Sequence, residues 1–166
     1  MLQMKLCGDV VLRTKCVPVS DITPELLSTM DEMVAMMRDQ NGVGLAAPQV
    51  GILSRFLVMM DPDSETIYRM INPEIVSRGT DVCTMEEGCL SVLGNDGLPV
   101  FANVSRPDSV VVEWTDENGD KKMAQMSGTP ARIVQHETDH LDGKLFVDYL
   151  SPVRREMLMR KVKKRK

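Results

Sequence analysis

The sequence predicts a single α+β domain in which antiparallel or mixed strands gather around a central helix carrying an HExxH motif, and three observations carry that prediction. Helix signals bracket a middle of the chain that reads as strands; the strands do not alternate regularly with helices, as a doubly wound parallel sheet would require; and both histidines fall on one predicted helix. The length of 166 residues fits one domain. A chain of this size buries roughly two-thirds of the surface it exposes when unfolded, enough for a core without a disulfide framework or a structural metal. A metal bound here therefore serves chemistry. The 14 Met outnumber the three Phe, two Tyr and one Trp, so soft, adaptable side chains fill much of the core.

Taken in order, the first helix begins at Thr23, an N-cap residue, with Pro24 at the first helical position. Leu26, Leu27, Met30, Met33, Val34 and Met37 then recur at three- and four-residue spacing as far as Asn41-Gly42, which reads as the helix C-cap leading into a tight loop. Residues 56–60, 67–71 and 110–114 are β-branched or apolar runs bounded by Asp, Pro, Asn and Gly, and are expected to be strands. Asn118-Gly119 is a hairpin turn that returns the chain into a strand over 121–126. A second helix is expected from Thr129 as cap and Pro130 as first residue to about Asp142, with Gly143 as its stop. After a short apolar run over 145–149, Ser151-Pro152 starts a third helix carrying a basic tail.

The formal charge of −4 conceals a division. Residues 154–166 hold eight of the 20 Lys and Arg against the single Glu156, a local charge of +7 that leaves −11 on the rest. The acidic body excludes nucleic-acid binding there, whereas the basic end is either a solvated helix terminus or a contact for an anionic partner. No 18-residue apolar stretch exists, and Lys5 and Asp9 interrupt the N-terminus where a secretory signal would need unbroken apolar residues, so a soluble, cytoplasmic protein without membrane contact is expected. Cys7, Cys16, Cys83 and Cys89 have no paired spacing and are expected to be free thiols.

The chemistry concentrates in residues 135–140, QHETDH. His136 and His140 stand one helical turn apart on one face, so two imidazoles can converge on one ion, and Glu137 can reach a water on that ion without binding it. A catalytic metal usually has three protein ligands, so a third must come from elsewhere as a Cys or a carboxylate. Cys89 stands out, because it lies in EEGCLS over 86–91 beside Gly88, which lets another backbone or a ligand approach closely. A third stretch, GVGLAAPQ over 42–49, is small, apolar and tightly turned and ends in the amide of Gln49.

Together GVGLAAPQ, EGCLS over 87–91 and QHETDHLDG over 135–143 resemble, in order and spacing, the three motifs of the peptide deformylases. The likeness extends through GDVVLR over 8–13 and over 148–152 near the other end, covering essentially the whole domain. The resemblance implies a hydrolase that removes the N-formyl group from formyl-methionine of nascent polypeptides, with residues 1–150 as catalytic domain and 151–166 as a basic appendage. Cys89, His136 and His140 would hold one divalent ion, Fe(II) by family likeness, with Zn, Ni or Co also suited to one thiolate and two imidazoles. Glu137 would be the general base, with the Gln49 amide and the Leu90 backbone N–H as oxyanion donors. The substrate would lie extended along Val43, Gly44 and Gly88, its methionine side chain in a pocket lined by Val43 and Ile133, to which Arg132 adds only its aliphatic stem. The partners implied are formyl-methionyl peptides and, through the +7 segment, the ribosome, but neither DNA nor a membrane.

Two other readings fit part of the sequence. A zinc endopeptidase would use the same HExxH with Glu156 as downstream ligand and leave Cys89 idle, and a non-catalytic ribosome-binding adaptor would carry a vestigial site. Against the family pattern, the segment after Ser91 is extended by several residues, so contacts between Gly94 and Asn103 are not carried over.

Overall fold

The computed structural model describes residues 2–163. Its strands are β1 (Gly44–Ala46), β2 (Phe56–Met60), β3 (Ile67–Arg78), β4 (Val82–Glu87), β5 (Ala102–Pro107), β6 (Ser109–Thr115) and β7 (Lys121–Ser127), and its helices are α1 (Pro24–Asp39), α2 (Gly128–Leu141) and α3 (Pro152–Met159). Five strands form a sheet in the order β1-β2-β3-β6-β7, every neighbouring pair antiparallel, and β4 pairs with β5 in a separate two-stranded ribbon. The α+β expectation holds, with α2 at the centre.

Period-two alternation along β2 explains the layering. Leu57 and Met59 pack toward α2 with Met70, Val112, Val134 and Leu141, whereas Phe56 and Val58 pack toward α1 with Met30, Met33 and Met37. The sheet is thus covered on both faces, and those three Met of α1 are fully buried, as the composition suggested. A third cluster joins Cys89, Val92, Val104, Phe146 and Leu158 around the ribbon and α3.

Thr23 caps α1 by accepting a hydrogen bond from Leu26 N, and Ser151 caps α3 by accepting one from Arg154 N. Gly119 forms the predicted hairpin with φ +85°, and Asp116 Oδ1 accepts from the N–H groups of Asn118 and Asp120. Gly143 stops α2 with φ +73°.

Four expectations need correction. α2 starts at Gly128 rather than at a Thr129 cap, because β7 runs straight into it and Ser127 serves as the cap residue without a side-chain bond. At the end of α1 the left-handed residue is Asn41, φ 54°, so Gly42 is not the conformational cap. The stretch 42–49 is not all loop: Gly44–Ala46 forms the edge strand β1, and Ala47–Val50 a single 3-10 turn. The run over 145–149, to which the sequence assigned no element, closes as another 3-10 turn, Phe146–Tyr149. The helix over the basic end is short, and Val162 instead bridges to Gly94 while Lys163 N donates to Leu93 O at 2.8 Å. Residues 164–166 of the predicted tail lie outside the described residues. Among the described residues no helix is long and apolar enough to cross a membrane.

Candidate metal centre and cleft

α2 is buried along most of its length, from Ala131 to Thr138 and at His140 and Leu141, and this buried stretch is unusually polar. Gln135, His136, Glu137, Thr138 and His140 are all less than a tenth exposed. Cys89 sits just beyond the end of β4, where the ribbon delivers it to the face carrying both histidines. One ligand atom from each of Cys89, His136 and His140 lies within 4.8 Å of the others, and Cys89 Sγ is 3.3 Å from His140 Nε2.

The orientation of His136 is set from behind. Its Nδ1 lies 2.8 Å from Glu87 Oε1, and since a carboxylate only accepts, the proton sits on Nδ1 and the lone pair on Nε2. Glu87 is a hub for three cationic or donor groups. Its Oε2 accepts from Arg106 Nε at 2.7 Å and Arg132 Nη1 at 2.5 Å, and its Oε1 from Arg106 Nη2 at 3.0 Å. Burial opposes the charge, but the hydrogen bonds from His136 and Arg106 outweigh it and hold the Glu87 carboxyl at about 2. Arg106 continues to Asp139 at 2.8 Å and stacks over the Tyr149 ring at 4.5 Å, and the Tyr149 hydroxyl donates to Asp139 at 2.7 Å.

Glu137 has the opposite surroundings. Its Oε2 is buried without a hydrogen-bond partner, as is His140 Nδ1, and burial pushes the Glu137 carboxyl up to about 7. A thiol and two imidazoles converging beside an unpaired carboxyl fit a divalent transition metal. Gln49 is fully fixed: its Oε1 accepts from Ala46 N at 2.9 Å, and its Nε2 donates to Ser91 Oγ at 3.1 Å with Cys89 Sγ at 3.5 Å. The backbone N–H of Leu90 has no partner among the described residues.

Nine of the ten residues singled out in the sequence line one cleft of about 320 Å³: Val43, Gly44, Gln49, Gly88, Cys89, Leu90, Ile133, His136 and Glu137. The tenth, His140, is fully buried beneath it. Gly44 is where it is because of Glu137: a Cβ there would lie 2.7 Å from Glu137 Cδ and 2.8 Å from Cγ. Arg132 lines the cleft only by its stem, since its guanidinium is bound to Glu87, Val104 O and Cys83 O.

Sequence reasoning missed Glu87, Arg106 and Asp139. A carboxylate two residues from a candidate metal-ligating Cys, with an HExxH histidine needing a partner, is the signal that could have found Glu87. The competing ligand Glu156 is excluded by position: it is exposed on α3 and paired with Arg160 at 2.6 Å. Cys83 offers only its carbonyl to Arg132, and burial raises the Cys7 and Cys16 thiols, Cys16 to about 11, so neither is a reactive thiolate.

Comparison with known proteins agrees with this geometry. Residues 1–156 match the family model described as polypeptide deformylase. The peptide deformylase of Endomicrobium trichonymphae is 42% identical over 166 residues, covering 99% of this chain and 95% of that one. A crystal structure of a peptide deformylase from Legionella pneumophila has a TM-score of 0.88 at 38% identity, covering 97% of this chain and 92% of that one. That of Ehrlichia chaffeensis peptide deformylase in complex with actinonin has a TM-score of 0.90 at 33% identity, covering 97% and 95%. The chain belongs to the polypeptide deformylase family, metal-dependent hydrolases that remove the N-formyl group from nascent polypeptides.

Proposed function

We propose that Cys89, His136 and His140 hold one divalent ion, Fe(II) in the cell, and that Glu137 is the general base of deformylation. The observation that carries this reading is the convergence of the three ligand atoms within 4.8 Å beside the unpartnered Glu137 carboxyl. When bound, the ion supplies Lewis acidity, which acidifies water and polarises the formyl carbonyl.

Glu137 takes a proton from water as the water oxygen adds to the formyl carbon. Burial raises the Glu137 carboxyl above the usual carboxylate range, which makes it a better proton acceptor for this role. The tetrahedral oxyanion accepts hydrogen bonds from Leu90 N–H, which has no partner among the described residues, and from Gln49 Nε2, which the Ala46 and Ser91 contacts hold in place. Glu137 then returns the proton to the nitrogen as the C–N bond breaks, giving formate and a free α-amine. The peptide lies extended beside Val43, Gly44 and Gly88, which line the cleft, and the methionine side chain enters the space lined by Val43, Ile133 and the Arg132 stem.

Residues 1–150 act as the catalytic domain, and the basic segment 151–166 contacts ribosomal RNA in the cytoplasm, its +7 charge supplying the attraction. Salt-sensitive co-sedimentation with ribosomes tests that contact, and an absent or salt-insensitive association refutes it.

The deciding experiment is anaerobic incubation of the iron-loaded protein with a formyl-methionyl tripeptide, measuring formate. Glu137→Gln is expected to retain the metal and lose about 10²- to 10⁴-fold in kcat. Cys89→Ala is expected to lose the metal. Formate release no faster than in buffer would refute the reading.

A further inference from the structure

A second cleft, of about 510 Å³, lies beside the catalytic one, and Glu86 and Phe101 line both. Phe101 forms the ridge between them. It is 57% exposed, and its ring lies so close over Gly88 that a Cβ there would sit 2.7 Å from Phe101 Cδ1. Beyond the ridge the lining combines buried Leu150 and Leu158 with exposed Met157, and it carries Arg154 and Lys161 from α3 and the turn that follows it.

Those two cations differ from the two arginines beside them. Arg155 pairs with Asp148 and Arg160 with Glu156, whereas the side chains of Arg154 and Lys161 make no ion pair among the described residues. The segment forming the ridge is the stretch after Ser91 that departs from the family pattern. It is fixed at its base by the Leu93 to Pro99 bridge and by the Gly94 to Val162 bridge, so both walls are held together.

We propose that this second cleft receives the downstream part of the formylated peptide and favours acidic side chains there, an inference that rests on the reading of the catalytic cleft given above. Continuity across Phe101 identifies the occupant: a chain leaving the site past Gly88 meets the ring, and an aromatic ridge offers an apolar surface to any sequence. Each extended residue adds about 3.3 Å, so four residues beyond a tripeptide extend roughly 13 Å. Glu86 at the shared rim disfavours an acidic side chain at the ridge, whereas Arg154 and Lys161 attract one further on. Both cations are exposed, so each contact is weak and the preference is expressed in binding.

The test uses the metal-loaded enzyme and three substrates: formyl-Met-Ala-Ser, and that tripeptide extended by Asp-Glu-Asp-Glu or by four Lys. At low salt the acidic heptapeptide is expected to show a KM about three- to tenfold below the basic one, with kcat unchanged, and the difference should vanish at high salt. The double variant R154E/K161E should reverse the order of the heptapeptides and leave the tripeptide unaffected. Equal KM values for the two heptapeptides in the native enzyme, or an unchanged order in the variant, overturn the inference. Tripeptide turnover reports on the catalytic cleft alone; its absence would overturn that reading and this inference with it.

Discussion

Replacing Gly44 by Ala separates catalysis from stability. The added Cβ would lie 2.7 Å from Glu137 Cδ and 2.8 Å from Cγ, while carbon contacts settle near ~3.5–4.0 Å. One partner must therefore retreat by about 1 Å. Gly44 is held in β1 by pairing with Met59, so the Glu137 side chain, free at its carboxyl end, is the one that yields. Rotating it costs little stability, and Ala in an extended segment recovers about 0.4–1 kcal/mol by restricting the unfolded chain. Melting should change by no more than the equivalent of about 1 kcal/mol. Catalysis responds differently, because a reacting group displaced by about 1 Å loses on the order of 100-fold, and complete loss of proton transfer up to about 10⁴-fold. The assay is formate release from formyl-Met-Ala-Ser at saturating substrate, with metal content and thermal melting measured on the same samples. A folded, fully metal-loaded Gly44→Ala protein with kcat within threefold of native would refute the placement of Glu137 as base.

Gly143→Ala is the converse case: its Cβ would meet backbone atoms, Arg13 O at 2.7 Å and C at 2.8 Å, at φ +73°, so nothing can rotate away. A loss of about 2–4 kcal/mol is expected, read as a lower Tm, with activity retained below the transition. Glu87→Gln leaves buried Arg132 without an anion and Arg106 with Asp139 alone, and should cost about 3–5 kcal/mol. It should also weaken metal retention about 10- to 100-fold in chelator competition, since His136 loses its carboxylate. Asp148 is held below the usual carboxylate range: partial burial opposes this, but Arg13 and the Leu145 N–H stabilise the charged form. A depressed folded pKa contributes stability above the unfolded value, about 3.9, that disappears as pH falls through the folded value. Asp148→Asn should therefore cost about 1 kcal/mol at neutral pH, and its Tm should converge on the native one in acid; a gap that stays constant below pH ~3 would contradict this.

The site was more legible in the sequence than the strands that frame it. His136, Glu137 and His140 could be placed because a helix has a fixed period, and Thr23-Pro24 located α1 because a cap is a local device. β3 was cut short at Ile71 because Asn72-Pro73 looks like an end. In the fold, Asn72 takes φ 51° and the pairing with β6 shifts register between Ile71 and Glu74, so the proline occupies an irregularity where the ladder needs no donor. β4 was invisible for another reason: most of its residues from Val82 to Glu86 face solvent, so no apolar alternation exists to be read. Glu87 shares that cause. Its role depends on Arg106, Arg132 and His136, which are brought together only by tertiary structure, and no local spacing encodes them.

The β4–β5 ribbon has a consequence for the dynamics of the enzyme. Two strands alone are marginally stable in water, and this pair is anchored where Arg132 binds Cys83 O and Val104 O and where Glu87 receives His136. Opening the ribbon therefore withdraws the support of His136, a proposed metal ligand, and by linkage a bound ion would resist that opening. Amide exchange in the ribbon should slow on metal loading while amides of the β6–β7 hairpin, which carries none of these groups, keep their native rates. Metal loading then acts as a local latch, tightening the strand that delivers Cys89 without stiffening the far edge of the sheet.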